Sequence, residues 1–149
     1  MHSIVDNIAM EQALMPQTIL ASALDSGNID MQSAEDLSVV LLVGDIADTL
    51  SGSVKVDVKI EHAEDDGTGA PDTYVACTDE DVLNFTGLTA GLFLSIDDVA
   101  KEQKRHVIEY RGDKRFVKVT ATPTGLSTGG AVAILALKGS LNQKPASNV

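Results

Sequence analysis

The residues able to do chemistry are few and scattered. Three histidines (His2, His62 and His106), the single Cys77 and two acidic clusters are the only candidates for ligands, a nucleophile or an acid–base pair. The clusters are Glu64–Asp66 with Asp72, and Asp79–Asp81. Neighbouring carboxylates suit Ca²⁺, a hard cation that collects oxygen ligands. The run Asp-Asp-Gly-Thr-Gly, however, lacks the alternating acids and distant Glu of a calcium loop, so both clusters read as solvated turn acids. Cys77, in "VACT", reads as a small strand residue. One cysteine rules out an intrachain disulfide and, on this reading, any cysteine-based zinc site. There is no Gly-rich phosphate loop and no His-Glu-x-x-His. The expectation is a protein without catalytic residue, cofactor or metal.

The tripeptide Arg111-Gly112-Asp113 has the letters of a cell-adhesion signal. It falls between "HVIEY" and "RFVKV", two β-rich runs that need a tight connection, and Gly-Asp serves such a turn. Arg111, Gly112, Asp113 and Lys114 therefore read as a hairpin tip. Display outside a cell is not expected either. Asp6 and Glu11 sit where a secretion signal needs a basic start and an unbroken apolar run. The longest apolar run, Val39–Val43, is too short to cross a bilayer, so no membrane contact is expected. Synthesis in a cytoplasm, with no exit signal, is the expectation.

The elements that must position these residues are strands. In "SVKVDVKIEH", Val54, Val56, Val58 and Ile60 alternate with Lys55, Asp57, Lys59 and Glu61, the period of a half-buried strand. "FVKVTAT" repeats the pattern, and "HVIEY", "TYVACT", "LFLSI" and "TILASAL" add shorter candidates. "LSVVLLVGD" and "AVAILALKG" are more continuously apolar, as central strands are. Gly, Asp, Ser and Pro punctuate the intervals. Such spacing predicts an all-β fold, an antiparallel β-sandwich or jelly roll of about eight strands. Helix is confined to "IVDNIAMEQAL", stopped by Pro16, and to "SIDDVAKEQ", capped by Ser95. Residues 1–30 form an N-terminal arm or first strand, 31–140 the sandwich and 141–149 a flexible tail.

Composition bounds the rest. The chain has 149 residues, enough for one domain, and is 44% apolar but only 3% aromatic, so its core must be aliphatic. Its 22 acids against 11 bases give a formal charge of −11, which repels phosphate backbones and argues against nucleic-acid partners.

The order "GSVKVDVKIEHAEDDG", "YRGDKRFVKVTATPTG", "GGAVAILALKG" resembles a family of small tailed-bacteriophage virion proteins. The matching residues are Glu61, His62, Asp65, Asp66 and Gly67, then Tyr110, Gly112, Lys114, Arg115 and Phe116, within about residues 37–139. The resemblance implies a jelly-roll capsid cement or decoration protein on the capsid surface of a virion, made in the host cytoplasm. Its implied partners are the major capsid protein and copies of itself, as a homotrimer suited to three-fold shell sites. On this reading the apolar residues Ile4, Val5, Ile8, Met10, Leu14 and Met15 form a candidate interface, an arm laid on a neighbour. The alternative is a helix packed on its own sandwich. Two other functions stay open: a head–tail connector or tail protein, and a carbohydrate-binding sandwich. The last is disfavoured by the absence of Trp and the presence of only Tyr74 and Tyr110 for stacking.

Overall fold

The computed structural model describes residues 4–141. Ten strands follow a short helix α1 (Ile4–Asn7): β1 Ala9–Ile19, β2 Leu24–Asp25, β3 Ile29–Asp30, β4 Asp36–Ile46 and β5 Lys55–Ala63. The chain continues through β6 Val75–Ala76, β7 Leu92–Ile96, β8 Lys104–Tyr110, β9 Phe116–Thr124 and β10 Gly130–Gly139. Two single 3₁₀ turns, at Asp79–Asp81 and Val99–Lys101, complete the ordered elements. Among the described residues no helix is long and apolar enough to cross a membrane.

All pairing is antiparallel, in two sheets. Sheet A has the order β1-β10-β4-β8; sheet B runs β2-β9-β5-β6, with β3 also on β9 and β7 also on β5. Partners are nested along the chain: β1 with β10, β2 and β3 with β9, β4 with β8, β5 with β6 and β7. A long hairpin rolled up on itself gives this order. With β2/β3 and β6/β7 each counted as one interrupted strand, it is the eight-strand jelly roll that the turn spacing predicts.

The alternating residues face one another across the roll. Val56, Val58 and Ile60 of β5 and Val117 and Val119 of β9 are wholly buried, opposite Val39, Leu41, Ile108 and Ile134 of sheet A. Each aliphatic side chain so buried contributes about 1.5–3 kcal/mol, and the core is aliphatic as the composition requires. Where β10 begins beside the end of β1, Gly129 has φ +76°, and a Cβ there would overlap the Ile19 carbonyl. Only glycine fits both demands.

Three local expectations give way to tertiary structure. Among the described residues the N-terminal helix covers Ile4–Asn7, and residues 9–19 form the edge strand β1 on β10. Ala, Gln, Glu, Met and Leu favour helix intrinsically, but pairing with β10 and burial of Leu14 and Ile19 outweigh propensity. Pro16 lies inside this edge strand, within the register shift between Leu14 and Gln17, where a missing N–H is tolerated. Residues 9–30, expected as an arm or first strand, thus contribute β1, β2 and β3 to the sandwich. Second, Ser95 sits in β7, and Asp98 caps the following turn, accepting from the Ala100 N–H at 2.7 Å. Third, residues 111–114 are not a hairpin tip. β8 pairs with β4 in sheet A and β9 with β5 in sheet B, so the segment crosses between sheets. A hairpin and a crossover share the same turn chemistry, and only long-range pairing separates them.

Candidate functional site

The two stretches that carry the virion-protein resemblance meet at one end of the sandwich. Antiparallel pairing sets Ala63 opposite Phe116 and His62 opposite Val117, so the loop leaving β5 lies beside the crossover entering β9. Arg115 is the hub. Its guanidinium grips Asp30 through Nε (3.0 Å) and Nη2 (2.8 Å), and it also donates to Gln32 (2.9 Å) and Asp65. This forked geometry is the strong form of an arginine–carboxylate pair. The guanidinium also lies 4.9 Å from the Phe116 ring centroid. Beside it Lys114 pairs with Glu64. Three chain segments remote in sequence are thereby fastened together.

Deeper in, Tyr110 of sheet A reaches His62 of sheet B. The phenol oxygen lies 2.9 Å from His62 Nδ1 and accepts the Lys114 backbone N–H at 3.2 Å, which leaves its own proton for the imidazole. The rings meet edge to face, 5.8 Å apart at 87°. Burial holds the Tyr110 phenol far above its usual pKa, so it stays neutral. Gly112 is required by the same ring. A Cβ there would sit 2.5–2.6 Å from Tyr110 Cζ and Cε2, and Gly112 is not among the glycines with positive φ.

The structure also assembles a group that the sequence reading excluded. Donor atoms of His62, Cys77 and Asp81 lie within 4.8 Å of one another, a mixed nitrogen, sulfur and oxygen set that one cysteine suffices to build. Its members have other engagements. Asp81 accepts from the Thr78 N–H (2.7 Å) and hydroxyl (2.9 Å), and His62 is held by Tyr110. Burial, with Asp81 and Glu61 nearby, pushes the Cys77 thiol up to about 12, so at neutral pH it is not a nucleophile. A thiol reagent added to the folded protein at pH 7.5 should therefore titrate almost nothing. After urea unfolding it should find one thiol per chain, and rapid native labelling would contradict this burial.

The acidic clusters act as turn acids. Asp65 accepts the N–H groups of Gly67 (2.7 Å) and Gly69 (3.0 Å); Asp66 accepts from Thr68; Asp79 accepts from Gly87 (2.6 Å) and Leu88 (2.7 Å). One such acid, Asp48, escaped the sequence reading. It ties the loop before β5 to that before β10, accepting from the Ser127 hydroxyl and from the N–H groups of Ser127, Thr128 and Gly129. The signal was half visible, since "STGG" reads as a turn while its partner lies 79 residues upstream.

These bonds hold the carboxyls below the ordinary aspartate range: Asp48 through the Ser127 hydroxyl first, Asp65 through the Gly69 N–H, Asp79 through the Gly87 N–H, and Asp30 through Arg115. A depressed carboxyl contributes stability that is complete above its unfolded pKa and is lost as pH falls through the folded value. The urea midpoint should accordingly stay level from pH 7 to about pH 5 and fall steadily below about pH 4. A midpoint unchanged at pH 3 would show that these acids hold nothing.

The expected interface residues are dispersed. Ile4 and Val5 lie in α1, where the Ile4 side chain is exposed; Ile8 is half-buried; Met10 and Met15 are exposed on β1; Leu14 is buried in the core. The crossover displays Arg111 and Asp113, the latter with its side chain 87% exposed. Arg111 is anchored from Nε to the Glu80 carbonyl at 2.9 Å.

No protein-family model matches the chain, and no curated protein does. Among solved structures it is similar to a chain of the disulfide-linked pili of Bacillus endospore appendages, at 13% identity and TM-score 0.39, over 90% of this chain and 89% of that one. It is also similar to a chain of infectious bursal disease virus, Gx strain, at 13% identity and TM-score 0.29, over 95% of this chain and 34% of that one. A third likeness is to the VP2 subviral particle of infectious bursal disease virus, at 11% identity and TM-score 0.28. There 91% of this chain matches 42% of the other, so the chain spans less than half the length of either viral chain.

Proposed function

We propose that the chain is a non-enzymatic structural protein of a virion, and more finely a cement or decoration protein that binds the capsid shell of a tailed bacteriophage. One observation carries this reading. Of the motif residues behind the resemblance, His62 and Asp65 of the first stretch meet Tyr110 and Arg115 of the second in a single fastening, to which Asp30 is added from outside the motifs. What the resemblance matches is therefore a device that stiffens a scaffold, and a stiff scaffold repeated over a lattice is what a cement protein needs. Individually weak contacts then add through multivalency. The proposed partner is the major capsid protein; no cofactor, nucleic acid or membrane enters the proposal.

Sugar binding is the weaker reading for a specific reason. The Tyr74 ring is covered by the Lys118 ammonium at 4.1 Å, and its hydroxyl donates to Asn28 at 2.8 Å, while Tyr110 is 2% exposed. Tyr110 therefore offers no stacking face, and one face of Tyr74 is already taken. Copy number per particle tests the reading. On the order of hundreds of copies per virion supports decoration of an icosahedral lattice, whereas about a dozen or fewer would place the protein in a connector or tail.

A further inference from the structure

The outer faces of the two sheets differ in kind. Sheet B turns Lys55, Asp57, Lys59 and Glu61 of β5, with Lys118 and Thr120 of β9, toward solvent, as an uncovered face does. Sheet A turns out Leu42 of β4, which is exposed, and the half-buried Val40, Val107 of β8, and Leu135 and Leu137 of β10, while Ala133 in the same rows is buried. Val40 stands beside Leu135 and Val107, and Leu42, 46% exposed, beside Ala133 and Arg105. A groove of ≈ 280 Å³ lined by Pro16, Leu42, Gly44 and Ala131 among others opens at one end of this face. A sheet apolar on both faces is normally covered on both.

The edges of sheet A are protected while its face is open. Along β8, Leu83 donates its N–H to the Glu109 carbonyl at 2.9 Å. The Asn84 side chain bonds both the Val107 carbonyl (2.8 Å) and the Glu109 N–H (2.9 Å), as a neighbouring strand would. β1 is interrupted by two register shifts and Pro16. Strand addition is blunted at both edges, leaving face-to-face packing as the available mode.

We propose that the outer face of sheet A docks a second copy of this chain in a two-fold, isologous pairing. Charge selects that occupant. With a formal charge of −11, most of the surface repels another copy. In the three rows crossing Ser38, Val40 and Leu42, however, the outward side chains include one acid, Glu109, and one base, Arg105. Both lie on β8 on either side of Val107, and neither has an ion-pair partner among the described residues. A two-fold axis lying along the face and across the strands sets β8 antiparallel over β8. Arg105 then meets Glu109 of the partner subunit, Glu109 meets Arg105 of the partner subunit, and Val107 packs on its counterpart. Four strands ~4.8 Å apart, by about six residues at ~3.3 Å, give about 400 Å² per copy. That lies below a standard interface, so the dimer is weak and concentration-dependent. A two-fold unit replaces the expected trimer, and the pairing does not depend on the virion reading.

Sedimentation equilibrium from about 1 µM to about 1 mM tests it. Wild type should pass from monomer to dimer over this range. Leu42→Asp should remain monomeric with an unchanged melting temperature, because Leu42 is outside the core. Arg105→Glu and Glu109→Arg should each weaken the dimer about tenfold or more, and the double exchange should restore it to within about threefold. A wild type monomeric throughout, a trimer, or a double exchange no tighter than the single variants would overturn the pairing. Loss of capsid binding in Leu42→Asp from a monomeric wild type would overturn it too and assign the face to the shell.

Discussion

Removal of residues 1–15 is expected to lower the melting temperature sharply and to promote aggregation. The cut takes away β1 from Ala9 to Met15, and with it the pairing to β10 from Lys138 to Ile134. It also removes Leu14, which is 8% exposed and packs in the core. Loss of a buried leucine side chain alone costs about 2–5 kcal/mol, which for a domain of this size corresponds to roughly 5–20 °C. The stripped part of β10 would present "ILAL" as a bare, apolar edge, the kind that recruits other chains. Thermal and urea unfolding, followed by circular dichroism, measure the first effect, and light scattering the second. An arm laid on a neighbour would behave in the opposite way, with a nearly unchanged melting temperature and loss of shell binding. That outcome would show that β1 contributes little to the isolated fold.

The same strand shows where the sequence stops being informative. "EQALM" carries residues that favour helix, and nothing within it states that β10 lies alongside. Elsewhere the local pattern sufficed. Val56, Val58 and Ile60 alternate with charges because one face of β5 is in the core and the other in water, and both faces appear in the sequence. The continuous apolar runs of β4 and β10 were legible as central strands. Their outward residues, Val40, Leu42 and Leu135, did not announce that only the inward set is covered by this chain. The fastening was legible only as letters in two motifs. Asp30, the main carboxylate on Arg115, lies 85 residues upstream in a two-residue strand with no motif around it. His62, Cys77 and Asp81 converge for a similar reason, because β6 pairs with the end of β5 and delivers the turn after it.

Gly112→Val is expected to destabilise the domain by about 3 kcal/mol or more, the upper range for overpacking a tight site, while Asp113→Glu should be neutral. Asp113 projects into solvent and makes only a 3.6 Å contact with Lys114, which a longer carboxylate preserves. Gly112 is different in kind. Any Cβ there must displace the Tyr110 ring, and the ring cannot move without releasing both His62 Nδ1 and the Lys114 N–H. Those bonds join sheet A to sheet B beside the crossover, so the damage reaches beyond one turn. A double-mutant cycle separates this cause from backbone strain. Tyr110→Ala alone should cost about 3–5 kcal/mol, as for other large aromatic truncations. Once the ring is gone, the added cost of Gly112→Ala should shrink toward that of an ordinary loop position, giving a strongly non-additive cycle. Strain in the glycine backbone would be indifferent to the ring and would leave the two costs additive. Additive costs in urea unfolding, or an Asp113→Glu variant as damaged as Gly112→Val, would show that the ring is not what reserves position 112 for glycine.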